Sequence, residues 1–265
     1  MEGLLAQFRN LEEVLKRKIK KEPVYYVPNP GNWGDGLIRE GTLKFFRDIN
    51  LEYRVILPSR RNWSDWLLPS VQGGTVIYGG GGGWCKNHGN AAKYVNYFRK
   101  RFNVIVLPSS YQFSYSYPNT FFFCRDIFES KQNMPESIFC HDMAFYLGDI
   151  RMEEGSGTGY FFRWDKESSG KIDIPKNNID LSSHGNYLSE GITFLQEISG
   201  YSVIHTDRLH VAIASCLLGL ELHFYPGSYF KNYAVYQSSM QDYFDNVTFH
   251  TEYLEKRIPE ENMAF

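Results

Sequence analysis

Cysteine is scarce in this chain, and its few thiols are scattered. The 265 residues include four cysteines, and no two of them have the short spacing that is typical of a metal site. Most lie inside apolar stretches, and cysteine is among the residue types most often buried. The sequence therefore predicts reduced, unpaired thiols and no bound metal; the residues are Cys85, Cys124, Cys140 and Cys216.

The chain also lacks an excess of charge of one sign and a long apolar run. Its formal net charge is −2, which argues against a general nucleic-acid-binding protein, because such domains are usually basic. No apolar run reaches the length of about 20 residues that crosses a bilayer. Residues 1–20 have no continuous apolar core of the kind found in signal peptides. These absences predict a soluble cytoplasmic protein.

Apolar and aromatic residues are abundant, at 43% and 17% of the chain. They are enough for a sizeable core, and the length allows one large domain or two of ordinary size. Residues 3–20 carry apolar side chains at helical spacing and predict an amphipathic helix with a basic end. We interpret that end as solvated cations that complement the helix dipole. The alternative is contact with an anionic membrane surface.

Strands and helices alternate along the rest of the chain, which is typical of parallel sheets with helices on both faces. A glycine-rich shift in composition over 148–159 predicts a linker between domains 1–150 and 151–265. We predict strands over 24–27, 52–57, 75–78, 103–107, 121–124, 138–147, 160–163, 201–204 and 221–225. We predict the later helices over 38–48, 91–100, 187–198 and 209–220.

Two loops in the first half have features of ligand loops. One runs from Pro28 to Asp35, where Asp35 could cap the next helix and the glycines would let the backbone approach a ligand. The other is the run of glycines from Gly79 to Gly83. Such a run costs chain entropy, so we expect a close approach either to a ligand or to another chain segment. Its spacing does not fit the dinucleotide fingerprint.

The stretch from His205 to His210 joins a predicted strand to a predicted helix. We expect Thr206 or Asp207 to cap that helix, with Arg208 and His210 in its first turn, where free N–H groups favour anions. A guanidinium, an imidazole and a helix start together predict an anion site with a proton donor. For each residue alone, the alternatives are a simple cap, a structural ion pair and a core histidine.

These pieces occur in the order found in the polysaccharide pyruvyl transferase family, which the chain resembles over roughly residues 24–235. The matching pieces are Gly31–Asp35, Gly79–Gly83, Arg125–Asp126, Asp142–Phe145, Arg163, Thr206–His210 and Lys231. The resemblance implies two Rossmann-like parallel-sheet lobes that face a cleft, as in GT-B glycosyltransferases. It also implies transfer of pyruvate from phosphoenolpyruvate onto a sugar as a ketal, with no cofactor.

The resemblance and the chemistry of the donor suggest roles for individual residues. The family pattern places Arg163, Arg208 and His210 in the catalytic site. Arginine can bind a carboxylate or a phosphate with two parallel hydrogen bonds, and a histidine can move a proton near neutral pH. We expect substrate contacts from Asn32, Gly34, Asp35, Gly80, Gly81, Gly82, His88, Ser109, Thr206 and Lys231. Trp33 and Trp84 could face sugar rings or fill the core, and we favour the sugar slightly.

Two other functions compete with this one. The same cleft could serve a GT-B-type glycosyltransferase that uses a nucleotide sugar, since a diphosphate also needs cations and a helix start. The chain could also be an inactive sugar-binding or scaffold protein, against which the arginines and His210 argue. The expected partners are phosphoenolpyruvate and a glycan or lipid-linked oligosaccharide acceptor. A lipid-linked acceptor would bring the protein to the inner face of the membrane.

Overall fold

The computed structural model describes residues 2–19, 22–57, 73–86, 90–153 and 155–254. Within them the chain forms a seven-stranded sheet followed by a four-stranded sheet, and every strand pair is parallel. The predicted α/β class with two parallel sheets is confirmed. None of the helices described is long and apolar enough to cross a membrane. The four cysteines are free and buried, as predicted.

The order of strands in the first sheet reverses at its first strand, so that the chain adds strands first on one side of that strand and then on the other. Its strands are β1 (Val24–Val27), β2 (Arg54–Val55), β3 (Thr75–Tyr78), β4 (Gly81–Trp84), β5 (Asn103–Tyr111), β6 (Thr120–Cys124) and β7 (Ile138–Phe139). Their order is β2-β1-β3-β5-β6-β7, and β4 also pairs with β5. Because β2 and β3 lie on opposite sides of β1, the loops after β1 and β3 diverge. Ligands of open parallel sheets bind in the crevice at such a switch point.

Helices cover both faces of the first sheet. They are α1 (Glu2–Lys18), α2 (Trp33–Asp48), α3 (Asn90–Phe98) and α4 (Glu129–Asn133). Leu37 and Phe45 of α2 belong to the core on one face, and Val95 and Phe98 of α3 belong to the core on the other. The last turn of α1 is basic, as predicted.

The second sheet has helices packed on one face. Its strands are β8 (Thr158–Phe161), β9 (Val203–Thr206), β10 (Glu221–Phe224) and β11 (Val247–Phe249), in the order β11-β10-β9-β8. Its helices are α5 (Gly191–Ser199), α6 (Leu209–Leu218) and α7 (Lys231–Ser239). On the opposite face Tyr160, His205 and His223 remain partly exposed in the described part of the chain. The rings of His205 and His223 stack there at 4.3 Å.

The core is continuous between the two sheets. One cluster of buried side chains extends from α1 and α2 to α5, α6 and α7. At its centre the ring of Trp33 packs edge-on against Phe194, with centroids 5.4 Å apart. The sheets therefore share one core, and the division into domains at residue 150 stays a prediction.

The strand predicted over 138–147 is wrong beyond its first two residues. After β7 the chain turns, and a 3₁₀ helix follows over Met143–Leu147. Asp142 begins it by accepting a hydrogen bond from the backbone N–H of Ala144 at 2.9 Å. An apolar run does not by itself distinguish a strand from a helix. Here the short side chain of Asp142 stabilises the turn through its hydrogen bond to the backbone. Two further 3₁₀ helices span Leu181–Ser183 and Thr251–Tyr253.

Candidate active site between the two sheets

A cavity of about 270 Å³ lies where the carboxyl ends of both sheets meet. The loops after β1, β4 and β6 form one wall, and the segments after β8, β9 and β10 form the other. Its polar and charged lining residues are Asn29, Asn32, Asp35, Asn90, Arg125, Arg163, Glu167, Ser182, Arg208, His210 and Lys231. Gly31, Gly34, Gly82 and Gly83 complete the wall of the first sheet.

The loop after β1 is held by a capping box rather than by Asp35 alone. Helix α2 begins at Trp33, earlier than the predicted residue 38, and Asn32 is its N-cap. The Asn32 side chain accepts a hydrogen bond from Gly34 N at 2.9 Å, and Asp35 accepts one from Asn32 N at 3.0 Å. Asn29 donates to the other oxygen of Asp35 at 3.0 Å. These bonds satisfy the free N–H groups of the helix start and fix the loop that lines the cavity.

The run of glycines is needed mainly for packing between chain segments. Gly81 to Trp84 form β4, and a Cβ atom at Gly80 would lie 2.3 Å from the carbonyl oxygen of Pro108. A Cβ at Gly81 would meet Ile38 and Asp35 at 3.0 and 3.2 Å, and Gly81 has a φ of +119°. Only at Gly82 is the added atom clear of clashes, since its nearest neighbour is Arg125 at 3.7 Å. Gly82 therefore borders the cavity, while Gly80 and Gly81 lie behind its wall.

Three cations of the second sheet's loops enter the cavity. Arg163 and Lys231 share one buried carboxylate, with Glu167 Oε2 at 2.6 Å from Arg163 Nη1 and 2.8 Å from Lys231 Nζ. Burial lowers the pKa of Lys231, against the opposing effect of Glu167. Arg208 Nη2 contacts Asp180 at 2.5 Å and Asp165 at 3.1 Å. The guanidinium groups are thus oriented by carboxylates before any ligand binds.

The Nε groups of the two arginines differ in their contacts. The Nε atoms of Arg163 and Arg208 are buried and have no hydrogen-bond partner among the described residues. Arg163 Nε lies 2.9 Å from Asp165 Oδ1 without forming an aligned bond. Arg163 Nε is therefore ion-paired, whereas Arg208 Nε is a buried donor without an acceptor, which costs free energy.

The start of α6 differs from the prediction, although His210 is in its first turn. The helix begins at Leu209, and Arg208 is its N-cap residue, with no capping side chain. Thr206 belongs to β9, because its backbone pairs with strands on both sides. Its hydroxyl donates to Phe161 O at 2.7 Å and accepts from Arg208 N at 2.9 Å. Asp207 accepts from Arg163 N at 2.9 Å, so it positions Arg163 rather than the helix.

A carboxylate of the first sheet faces His210 across the cavity wall. The Nε2 atom of His210 lies 3.7 Å from Asp142 Oδ2, and it is buried without a hydrogen-bond partner among the described residues. Arg125 Nη1 donates to the same oxygen of Asp142 at 2.6 Å. Arg125 after β6 and Asp142 after β7 therefore lie next to His210 of α6.

The comparisons with known proteins agree with this arrangement. A family model described as polysaccharide pyruvyl transferase matches residues 32–221, which is most of the chain and includes Arg163, Arg208 and His210. The chain belongs to the polysaccharide pyruvyl transferase family. It is accordingly a transferase of the kind that moves a pyruvyl group onto polysaccharide.

One solved structure is similar over nearly its whole length. It is the crystal structure of a functionally uncharacterised protein from Klebsiella pneumoniae, with a TM-score of 0.71 and 27% sequence identity. The match covers 92% of this chain and 98% of the other. A comparison with curated proteins found no significant match.

The cavity of this pyruvyl transferase family member brings together most of the predicted site residues. Those that line it are Asn32, Gly34, Asp35, Gly82, Arg163, Arg208, His210 and Lys231. Their roles in binding and catalysis stay predictions. His88 lies outside the described residues. Among the described residues, no group of three or more His, Cys, Asp or Glu could hold a metal.

Other predicted contacts are not in the cavity. Ser109 is fully buried, and its hydroxyl donates to Leu107 O at 2.8 Å. Thr206 is also fully buried, with its hydroxyl used as described above. Trp33 and Trp84 are 4% and 1% exposed and belong to the core, which corrects the interpretation that they face a sugar. Instead, the ring of Trp33 packs against Phe194, and the ring of Trp84 packs against Tyr111.

The sequence interpretation missed several residues of the cavity. Asn29, Arg125 and Glu167 line it but were not among the predicted site residues, nor were Asp142 and Asp180, which contact lining residues. Arg125 directly follows a strand that was predicted, so its position at the carboxyl edge was the available signal. Glu167 and Asp180 lie in the irregular segment after β8, where no periodic pattern indicates direction.

Proposed function

We propose that the enzyme uses phosphoenolpyruvate as its donor and forms a pyruvate ketal across two hydroxyl groups of a glycan. The observation that carries this proposal is the pair of buried guanidinium groups that line one cavity with a buried lysine and a histidine. In phosphoenolpyruvate the phosphate is attached through oxygen to the carbon next to the carboxylate. A cluster of cations suits such a small molecule with two anionic groups.

In this proposal Arg163, Arg208 and Lys231 bind the two anionic groups of the donor. Glu167 is 1% exposed and already neutralises part of the charge, so the pocket does not hold three uncompensated cations before binding. Asp165 and Asp180 contact Arg208 from the more exposed side. The donor would compete with these two carboxylates for the guanidinium.

His210 would supply the proton in the first step. A proton passes from the imidazolium to the methylene carbon of the donor, and an acceptor hydroxyl oxygen bonds to the neighbouring carbon and gives its own proton to the imidazole. The carbon–oxygen bond to phosphate then breaks, and phosphate leaves with the bonding electrons. The second hydroxyl attacks the same carbon and closes the ketal, and its proton leaves with phosphate. General acid–base catalysis of this kind contributes about 10²–10⁴-fold.

The acceptor would enter from the wall formed by the first sheet. Asn32, Asp35 and Asn90 supply polar groups there, next to the open backbone of Gly82. Side-chain amides and carboxylates can bind sugar hydroxyls as donors and acceptors. The acceptor in this proposal is a cell-surface polysaccharide or its lipid-linked precursor.

The direct test is phosphate release from phosphoenolpyruvate against a panel of free and lipid-linked glycans. We expect release only with an acceptor, and a pyruvate ketal on the product by mass spectrometry. Parallel thermal-shift measurements compare phosphoenolpyruvate with nucleotide sugars. Stabilisation by a nucleotide sugar alone would contradict the proposal and favour a glycosyltransferase.

Substitution of the two arginines tests the donor site. Lysine keeps the charge but loses the planar fork, so Arg163→Lys and Arg208→Lys should each raise the KM for phosphoenolpyruvate about 10- to 100-fold, from hydrogen bonds to charged groups worth about 1.5–3 kcal/mol each. Arg99→Lys is the matched control, because Arg99 directly follows α3, donates to Asn96 and does not line the cavity. An unchanged KM in both site variants would refute the assigned contacts.

A further inference from the structure

A carboxylate supplied by the first sheet is aimed at the proposed proton donor, which is supplied by the second. Asp142 follows β7, and His210 lies in the first turn of α6. Their facing atoms, Oδ2 and Nε2, are 3.7 Å apart. This is longer than a hydrogen bond, but hydrogen bonds of catalytic groups are often long without substrate and shorten when it binds. No other partner among the described residues bonds Nε2.

Asp142 has little freedom to move. It is fully buried, as is nearly all of Arg125, whose Nη1 donates to Oδ2 at 2.6 Å. Its other oxygen accepts from Ala144 N at 2.9 Å. Burial alone would raise the pKa of Asp142, but His210 and Arg125 outweigh it and lower the pKa well below its ordinary value. A charged carboxylate is therefore held at one position, with one oxygen turned to the imidazole.

The opposite edge of the imidazole adjoins the cavity wall at Gly34. A Cβ atom on Gly34 would lie 2.5 Å from His210 Nδ1, so the absence of a side chain there leaves room for the ring. Gly34 and His210 both line the cavity, whereas Nε2 is buried. The two nitrogens thus have different surroundings: Nε2 lies beside a fixed carboxylate, and Nδ1 lies beside Gly34, which lines the cavity.

We propose that Asp142, held by Arg125, is the positioning residue of His210 in the pyruvyl transfer. Its carboxylate accepts the Nε2–H of the imidazole, which directs Nδ1 towards the donor. The imidazolium gives its Nδ1 proton to the methylene carbon of phosphoenolpyruvate and becomes a neutral ring with the hydrogen on Nε2. Nδ1 can then accept the proton of the attacking hydroxyl. The chemical steps rest on the proposed function, but the tautomer does not.

The first test measures the tautomer of His210 by long-range ¹H–¹⁵N NMR on the full-length protein, with the signals assigned from the spectrum of His210→Gln. The neutral ring should carry its hydrogen on Nε2. In Asp142→Asn the asparagine amide can donate to Nε2, so we expect the hydrogen to move to Nδ1. A hydrogen on Nδ1 in the wild-type protein would overturn the proposal, whether or not Asp142→Asn folds.

The second test compares kcat and KM. Asp142→Asn should lower kcat about 100-fold or more while the KM for phosphoenolpyruvate changes less than about threefold, because the residue acts on the proton donor and not on the donor's anions. Asp126→Asn is the matched control: Asp126 is another fully buried carboxylate, but it bonds Ser130 instead of a histidine. Equal losses in both variants would indicate a structural role only and would contradict the proposal.

The two tests separate this inference from the proposed function. If the wild-type protein releases no phosphate from phosphoenolpyruvate, the proposed donor is wrong, and the tautomer still decides whether Asp142 orients His210. If phosphate is released but the tautomer and kcat do not depend on Asp142, the donor stands and the positioning role fails.

Discussion

At the scale of single residues, the site depends on cationic and imidazole groups that already have some of their polar partners within the protein. The carboxylates of Glu167, Asp180 and Asp142 orient the cationic and imidazole groups and leave specific atoms without partners. Such preorganisation lowers the cost of arranging polar groups when a ligand arrives. The absence of a side chain matters as much at Gly34, where the imidazole occupies the space.

We predict that Gly34→Ala lowers kcat about 100-fold. The added Cβ would lie 2.5 Å from Nδ1 and 2.9 Å from Cγ of His210, so the ring must move, and a displacement of about 1 Å can cost that much in rate. Steady-state kinetics would measure the change. Gly200→Ala is the control, since nothing lies within 4 Å of its added atom and its φ is −65°. Wild-type kcat in Gly34→Ala would show that the imidazole has more room than the geometry indicates.

At the scale of elements, the helix starts and the turns after strands carry the site. The capping box at the start of α2 holds the loop after β1, and an isolated bridge joins Asn32 to Asn186 of the second half of the chain. The backbone N–H of Tyr187 also donates to Gly31 O at 3.2 Å. The cap therefore stabilises both a helix and a contact between the two cavity walls.

Asn32→Ala should lower the free energy of unfolding by about 1 kcal/mol, within the range of about 0.5–2 kcal/mol for a lost N-cap. Urea unfolding at constant pH measures it. Asn32→Asp keeps an oxygen that can accept from Gly34 N and should retain most of the stability. If the aspartate variant lost as much as the alanine variant, the cap would not be the reason for the loss.

At the scale of the whole molecule, the two sheets are joined by a shared core and by buried polar contacts. One of these is His141, which is fully buried after β7 and whose Nδ1 lies 2.7 Å from Ser239 Oγ of α7. Rings of Phe139 and Tyr243 pack around it. Burial lowers the pKa of His141 to about 4, so the folded protein keeps this ring neutral through the mildly acidic range.

This pKa predicts a loss of stability on acidification. The unfolded chain binds a proton at His141 below about pH 6.5, while the folded protein does not until about pH 4, so stability falls between these values. The contribution of this residue is about 3.5 kcal/mol at most, from about 1.4 kcal/mol per pKa unit. Urea unfolding from pH 7.5 to pH 4.5 would measure it, and His141→Asn should have a flatter profile. A slope equal to that of the wild type would exclude His141 as its source.

The sequence alone determined the alternation of strands and helices, the parallel sheets and the strand ends at which Arg163, Arg208 and His210 lie. These follow from local periodicity and from the breaks that proline, glycine and short polar residues impose on it. For the same reason the family could be recognised from short pieces in order, since most of these pieces lie at or next to the end of a strand.

Only the tertiary structure decided which side chains meet. Trp33 and Trp84 had two interpretations in the sequence, and the packing of helices on the sheets buried both. The contact of Arg208 with Asp180 forms when loops of the second sheet approach each other, and that of Asp142 with His210 forms when the two sheets pack together. Residues far apart in sequence carry no local pattern that predicts their contact, because their distance is set by the packing of the whole core.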